Sequence, residues 1–244
     1  MAPSDVVILL IGLHGTGKTT FAGVATNTDV KTHQGKGGGP CTEECVRYTV
    51  AYKEKQVTII DTPGLADRNT SEENIEILHK IAKQLRSLGQ ERVSGVIYFH
   101  SIEGVRLSAI DLDNIRILKK ICGVDFFPRV AFVTTRWDRI KQTEWNALLQ
   151  PRHQELTKAW NDMMPTGPTF KFLNDDSKSH EEVLEYFAAQ TGEPSDAIPQ
   201  LLFAQELDRY RWEQNPIKAV KRSTAGKEMV ARGSNVRKGI CAFL

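Results

Sequence analysis

A lysine and a threonine close the stretch Gly12-Leu-His-Gly-Thr-Gly-Lys18-Thr19, and those residue types at that spacing point to phosphate binding. Glycines let successive backbone N–H groups turn inward around phosphate oxygens, where a side chain would intrude. A helix beginning where the loop ends adds its partially positive N-terminus. In this reading Lys18 reaches the β- and γ-phosphates and the Thr19 hydroxyl ligates Mg²⁺. Gly12, His14, Gly15, Thr16, Gly17 and Thr20 supply the remaining contacts of the loop.

Two further motifs follow in order. In Asp61-Thr-Pro-Gly64 the carboxylate can hold Mg²⁺ through water, and the Gly64 amide can sense a γ-phosphate as the next segment orders. The same four residues also make a good turn by themselves. Thr134-Thr135-Arg136-Trp137-Asp138 resembles the [NT]-K-x-D element that reads guanine. A carboxylate at Asp138 accepts the N1 and N2 protons of guanine as a pair, a pattern adenine does not offer. Thr135 and Arg136 flank it, Arg136 standing where Lys is usual, with a stem and guanidinium able to lie along the base. The competing reading is a helix-capping Asp beside a packed Trp137. With a phosphate loop and DxxG before it, the element makes GTP or GDP with Mg²⁺ the expected ligands and argues against an ATP-using P-loop kinase.

The elements that must carry these motifs are visible as apolar runs of strand length alternating with amphipathic helical segments. Strands are expected at Val6–Ile11, Val46–Tyr52, Gln56–Asp61, Gly95–Phe99, Val130–Thr134 and Phe170–Leu173. Helices are expected at Lys18–Thr26, Glu73–Leu88, Leu112–Ile121, Thr143–Met164 (broken or kinked at Pro151), His180–Ala189 and Gln200–Gln214. Alternation of this kind implies an α/β fold: a three-layer P-loop NTPase G domain, its mostly parallel sheet covered by helices on both faces. All three motifs then fall at the carboxyl ends of strands, where such sheets bind ligands. The expected organisation is a G domain over 1–195, a C-terminal helix over 196–214 and a basic, flexible tail over 215–244.

The chain has 244 residues, 40% of them hydrophobic and 25% charged, an ordinary soluble composition. No run approaches the ~20 apolar residues of a membrane-spanning helix. Cys41, Cys45, Cys122 and Cys241 are scattered, as in a reducing compartment, so a cytoplasmic location is expected and no zinc site. From Asn215 onward seven Lys/Arg face a single acid, Glu228. The chain then ends Cys241-Ala-Phe-Leu244, which fits a prenylation signal with a polybasic stretch upstream as its second anchor. Association with the cytosolic face of a membrane and a chance four-residue match are both open. No nucleic-acid partner is expected.

The three motifs establish a resemblance to the TRAFAC GTPases. More narrowly GLHGTGKTTF, CTEEC, DTPGLAD, SGVIYFHSIEGVR and VAFVTTRWD together resemble the septin-like (paraseptin) G proteins. That group includes the immunity-associated nucleotide-binding proteins, the chloroplast-import receptor GTPases and related fungal proteins; the likeness covers about Val6 to Ala189. It implies that Thr42 is a switch threonine completing the Mg²⁺ shell, although a threonine that merely opens a strand is an equal reading. It also implies that Asn174 sits in the last base-contacting loop. Lys18, Thr42 and Gly64 would carry catalysis.

One departure bears on rate. Ras-like GTPases follow DxxG with a Gln that orients the attacking water; here the residue is Leu65, which has no polar atom. His14 stands in the loop where many GTPases keep Gly and crowds the space of an inserted arginine finger. Intrinsic hydrolysis is then expected at or below ~10⁻⁴ s⁻¹. Relatives pair their nucleotide faces, so a homodimer is expected to supply missing groups. Glu103 and Arg106 are candidates to reach across, against a plain solvated loop. The expected function is a slow, dimerisation-dependent GTPase acting as a switch or scaffold; the alternative is a non-hydrolysing GTP/GDP-binding module that assembles at a membrane.

Overall fold

A computed structural model describes residues 5–30, 42–65, 71–89, 91–103, 108–140, 150–163, 168–172, 177–190 and 200–231. In chain order the elements are β1 (Val6–Gly12), α1 (Lys18–Thr26), β2 (Val46–Tyr52), β3 (Lys55–Asp61), α2 (Ser71–Arg86), β4 (Gly95–Ser101) and α3 (Ala109–Cys122). They continue with β5 (Val130–Thr135), α4 (Gln150–Met163), β6 (Thr169–Lys171), α5 (Ser177–Ala189), α6 (Leu202–Arg209) and α7 (Pro216–Arg222). A last helix, α8, spans 224–231.

Every residue of β1 is buried. Val7, Leu9 and Ile11 enter one core, and Val6, Ile8 and Leu10 enter the other. A strand covered on both faces needs apolar residues at successive positions, which is why this run shows no polar alternation. The six strands are ordered β2-β3-β1-β4-β5-β6. All neighbours are parallel except β2, which pairs antiparallel with β3 at the edge.

One face of the sheet carries α1 and α5, through Phe21, Ala22, Val183 and Phe187. The other carries α2, α3 and α4, through Leu78, Ile81, Ile115, Leu118 and Trp160. The three-layer architecture is therefore the one the sequence pattern implies. The described part of α4, Gln150–Met163, holds Pro151 at its second residue; the earlier part of the expected Thr143–Met164 helix, 143–149, lies outside the described residues.

The C-terminal part differs from a flexible tail. Residues 215–231 fold into α7 and α8, and together with α6 they lie against α2 and α3. Phe203, Leu207, Ala219, Val220, Ala225 and Met229 are all 0% exposed and belong to the α2/α3 core. The basic residues Lys218, Lys221, Arg222 and Lys227 occupy the exposed face of these helices. Polar contacts fix the docking: Arg86 of α2 bonds Asp208 and, at 2.7 Å, Glu213, while His79 and Trp212 bring their rings to 5.3 Å. Buried Glu206 accepts the backbone N–H (2.9 Å) and the hydroxyl (3.1 Å) of Thr224, satisfying the start of α8. Among the described residues no helix is long and apolar enough to cross a membrane.

Candidate functional site

The motifs converge at the carboxyl ends of β1, β3 and β5. Between β1 and α1, Gly17 holds φ at 87°, in the left-handed region that favours glycine, and stands at the N-cap of α1. Lys18 is 5% exposed and curls over the loop, its ammonium donating to the carbonyls of Leu13 (2.9 Å) and Gly12 (3.2 Å). The Leu65 N–H donates to the Gly12 carbonyl at 3.0 Å, and the His14 N–H donates to the Leu65 carbonyl at 3.2 Å. This short parallel bridge joins the phosphate loop to the end of the DxxG motif. It also explains Gly64, because a Cβ there would lie 2.5 Å from Cα of His14. Leu65 itself is 1% exposed and part of the core below α2. His14 is exposed at the mouth of the loop.

Three oxygens meet beside the loop. The Thr19 hydroxyl donates to Asp61 Oδ2 at 2.6 Å and lies 2.9 Å from the Thr42 hydroxyl. The other carboxylate oxygen, Asp61 Oδ1, is buried without a hydrogen-bond partner. Burial pushes the Asp61 carboxyl above its ordinary value, with Thr19, Lys18 and Thr42 pulling the other way. A buried carboxylate with an unmet oxygen, flanked by two hydroxyls, is a hard-oxygen set that suits Mg²⁺. The residues present therefore fit that ion. Thr42 precedes β2 by a short irregular segment, so its hydroxyl comes to Thr19 from outside the strand.

The guanine-type motif is tied directly to the phosphate loop. The Thr135 hydroxyl donates to the Thr16 carbonyl at 2.8 Å. Because a trans peptide is planar, the Gly17 N–H then faces the opposite way, off that contact. Arg136, at φ 62°, donates from Nε to the Gly15 carbonyl at 2.6 Å, with Nη2 on the same oxygen. Its guanidinium thus holds the loop backbone, a contact invisible in sequence because the acceptor is a main-chain carbonyl. Trp137 is 3% exposed, donates from its indole to Thr134 at 3.2 Å and lies under Lys171 Nζ, 4.8 Å from the ring centre. The packed Trp137 of the competing reading is present, and Asp138 is exposed in a short 3-10 turn.

Glu103 is held within its own chain: Oε2 is 3.5 Å from Arg136 and Oε1 is 3.6 Å from Arg139. A buried pair that sequence reading missed lies behind it, with His100 Nδ1 3.3 Å from Asp111 Oδ1. Burial would raise the Asp111 carboxyl, but hydrogen bonds from His100 and Ser108 outweigh it and hold the group below its ordinary value. The spacing Ser108-x-x-Asp111 was the available signal, since it forms the capping box of α3. Thr20 continues α1 one residue beyond Thr19. Asn174, Arg106, Cys41 and the segment holding Cys241 lie outside the described residues.

Fold and site together define a P-loop G domain of the GTPase class. The chain belongs to the AIG1 family, which it matches over residues 6–185. No curated protein sequence matches it. Among solved structures it is similar to Toc33 from Arabidopsis thaliana in complex with GDP and Mg²⁺, at TM-score 0.60 and 13% identity, covering 80% of this chain and 86% of that one. Toc33 with Mg²⁺ and GMPPNP matches at TM-score 0.60 and 13% identity, over 80% of this chain and 87% of that one. Era, solved with MgGDPNP and a 16S ribosomal RNA segment, matches at TM-score 0.51 and 16% identity over 78% of this chain and 58% of that one.

Proposed function

We propose that this chain is a Mg²⁺-dependent guanine-nucleotide-binding GTPase whose turnover is slow in the monomer and raised by pairing of two nucleotide faces, as in septin-like G proteins. The observation that carries the reading is the Thr19–Thr42–Asp61 oxygen cluster with its unmet buried carboxylate oxygen, set beside a phosphate loop tied to the guanine-type motif. Lys18, with Gly12 and Gly15 to Thr20, holds the phosphates, and His14 lines the rim. Thr19, Thr42 and Asp61 would hold the ion. Asp138, with Thr135, Arg136 and Asn174, forms the base pocket. Mg²⁺ would neutralise charge on the β- and γ-phosphates. Gly64 presents its amide to the γ-phosphate, and Lys18 and Thr42 complete the catalytic set.

Slow turnover is supported by Leu65, which is committed to the core and offers no polar atom to water. Pairing is supported by the chloroplast translocon components atToc33 and psToc159, in which dimerization is important for the GTPase activity. Single-turnover hydrolysis over a range of protein concentrations tests both points. At high dilution the rate should be at or below ~10⁻⁴ s⁻¹ and should rise per subunit as concentration increases. Absence of turnover at every concentration would instead favour a non-hydrolysing structural module, the reading that buried Leu65 keeps open.

For 232–244 the proposal is association with the cytosolic face of a membrane through Cys241 and the basic residues before it. Cys241→Ser should move the protein from the membrane fraction to the soluble one; unchanged fractionation would retire that part.

A further inference from the structure

Lys80, in the middle of α2, is absent from the three motifs yet reaches the segment that carries Thr42. Its ammonium donates to the Glu43 carbonyl at 2.8 Å, on the residue that follows Thr42. It is also 3.4 Å from Glu44 on the same segment and 3.4 Å from Glu76 one turn back on α2. Only 21% of its side chain is exposed, so the contact is partly shielded from water. The segment 42–45 has no regular structure of its own. Its far end is fixed where β2 begins, Val46 pairing with Asp61. Its near end is fixed by the Thr42–Thr19 hydroxyl contact at 2.9 Å. Between the two, Lys80 supplies a charge-assisted grip from α2.

We infer that Lys80 is a positioning residue for Mg²⁺-dependent nucleotide binding: by holding the Glu43 carbonyl to α2 it keeps the Thr42 hydroxyl at the ion site, and it links that site to the helix following the DxxG motif. The inference rests on the proposed function, and in particular on Thr42 as a ligand of the ion. Two independent features converge on it. The acceptor is the backbone carbonyl of the residue after Thr42, so the Lys80 side chain links α2 to the backbone that carries the Thr42 hydroxyl. Glu76 and Glu44 flank the ammonium from both sides, so its direction is defined from the helix and from the segment together.

The test is release of a fluorescent GMPPNP analogue and of fluorescent GDP from the full chain, each followed across a Mg²⁺ titration and in EDTA. In wild type, Mg²⁺ should slow release. Lys80→Met retains the aliphatic stem but removes charge and donors; it should raise the Mg²⁺ concentration needed for half-maximal retention of the GMPPNP analogue about tenfold, the scale of one charge-assisted hydrogen bond. Release in EDTA should match wild type, because the loop and base contacts are untouched. Lys80→Arg, which restores charge and donors, should return the requirement to near the wild-type value. A general loss of stability would speed release in EDTA as well, so the split separates positioning from scaffolding. Should Lys80→Met fail to fold, Glu76→Gln loosens the ammonium from the α2 side and should produce a smaller shift in the same direction. A Mg²⁺ requirement unchanged in Lys80→Met, or in Glu76→Gln where that is the readable variant, overturns the inference. Wild-type release that ignores Mg²⁺ overturns the proposed function itself, and this inference with it.

Discussion

Lys18→Ala should abolish retention of guanine nucleotide. The lysine is 5% exposed, so its ammonium faces the loop in a site with little water to screen it. Removing one partner of a buried charge pair costs about 3–5 kcal/mol, because the remaining charge is left uncompensated. Applied to a phosphate held in the loop, that is roughly 10²–10⁴ in Kd. The loop has other supports that survive the change: Leu65 on Gly12, Arg136 on Gly15 and Thr135 on Thr16. Loss of binding with a preserved circular-dichroism spectrum is therefore the expected result. Equilibrium titration with fluorescent GDP, beside the nucleotide content of the purified protein, measures it. Binding within a few-fold of wild type would mean that the phosphates are held elsewhere.

Asp138→Asn should exchange base preference, weakening GTP by roughly 10²–10⁴-fold while strengthening xanthosine triphosphate. The carboxylate accepts two protons from guanine, and hydrogen bonds to a charged group contribute about 1.5–3 kcal/mol each. An amide presents a donor where one acceptor was, and xanthine, with a carbonyl at position 2, matches it. The structure gives the base its direction: Thr135 and Arg136 are pinned to the phosphate loop, and Asp138 follows two residues on with its side chain exposed. Competition of GTP, ATP and xanthosine triphosphate against a bound fluorescent nucleotide decides the matter. An unaltered base preference would mean that guanine is read by other residues.

Much of the fold was legible because it is written in local periodicity. β1 and α1 fall within one residue of expectation, since a buried central strand and a glycine-marked loop leave unmistakable residue types. The order of motifs also placed Thr19 and Asp61 together, and the structure has them 2.6 Å apart. Less was legible where the acceptor is backbone. Nothing in the residue types says that Arg136 grips the Gly15 carbonyl or that Lys80 grips Glu43, because every residue has a carbonyl. Leu65 was visible only as a missing glutamine; its positive role, a strand-like bridge and a core contact, depends on what β1 brings beside it. α7 and α8 were missed for a different reason. Each is short, and the break at Ser223 resets the helical phase, so a window long enough to show periodicity straddles both. Their lysines and arginines dominate the composition, while the four hydrophobic residues that bury, Ala219, Val220, Ala225 and Met229, are too sparse to signal a helix face.

The docking of α6, α7 and α8 separates two boundaries that are easily taken for one. The family likeness stops at residue 185, but the hydrophobic core that contains α2 and α3 runs on to Met229. A chain cut at the family limit would leave Leu85, Leu88 and the outer face of α3 without Leu201, Phe203, Leu207 and Trp212, and Arg86 without Asp208 and Glu213. The region matched by the family is thus shorter than the hydrophobic core it takes part in. The C-terminal helices beyond that region are in contact with the helix that follows the DxxG motif, so they are part of the mechanical surroundings of the candidate nucleotide site.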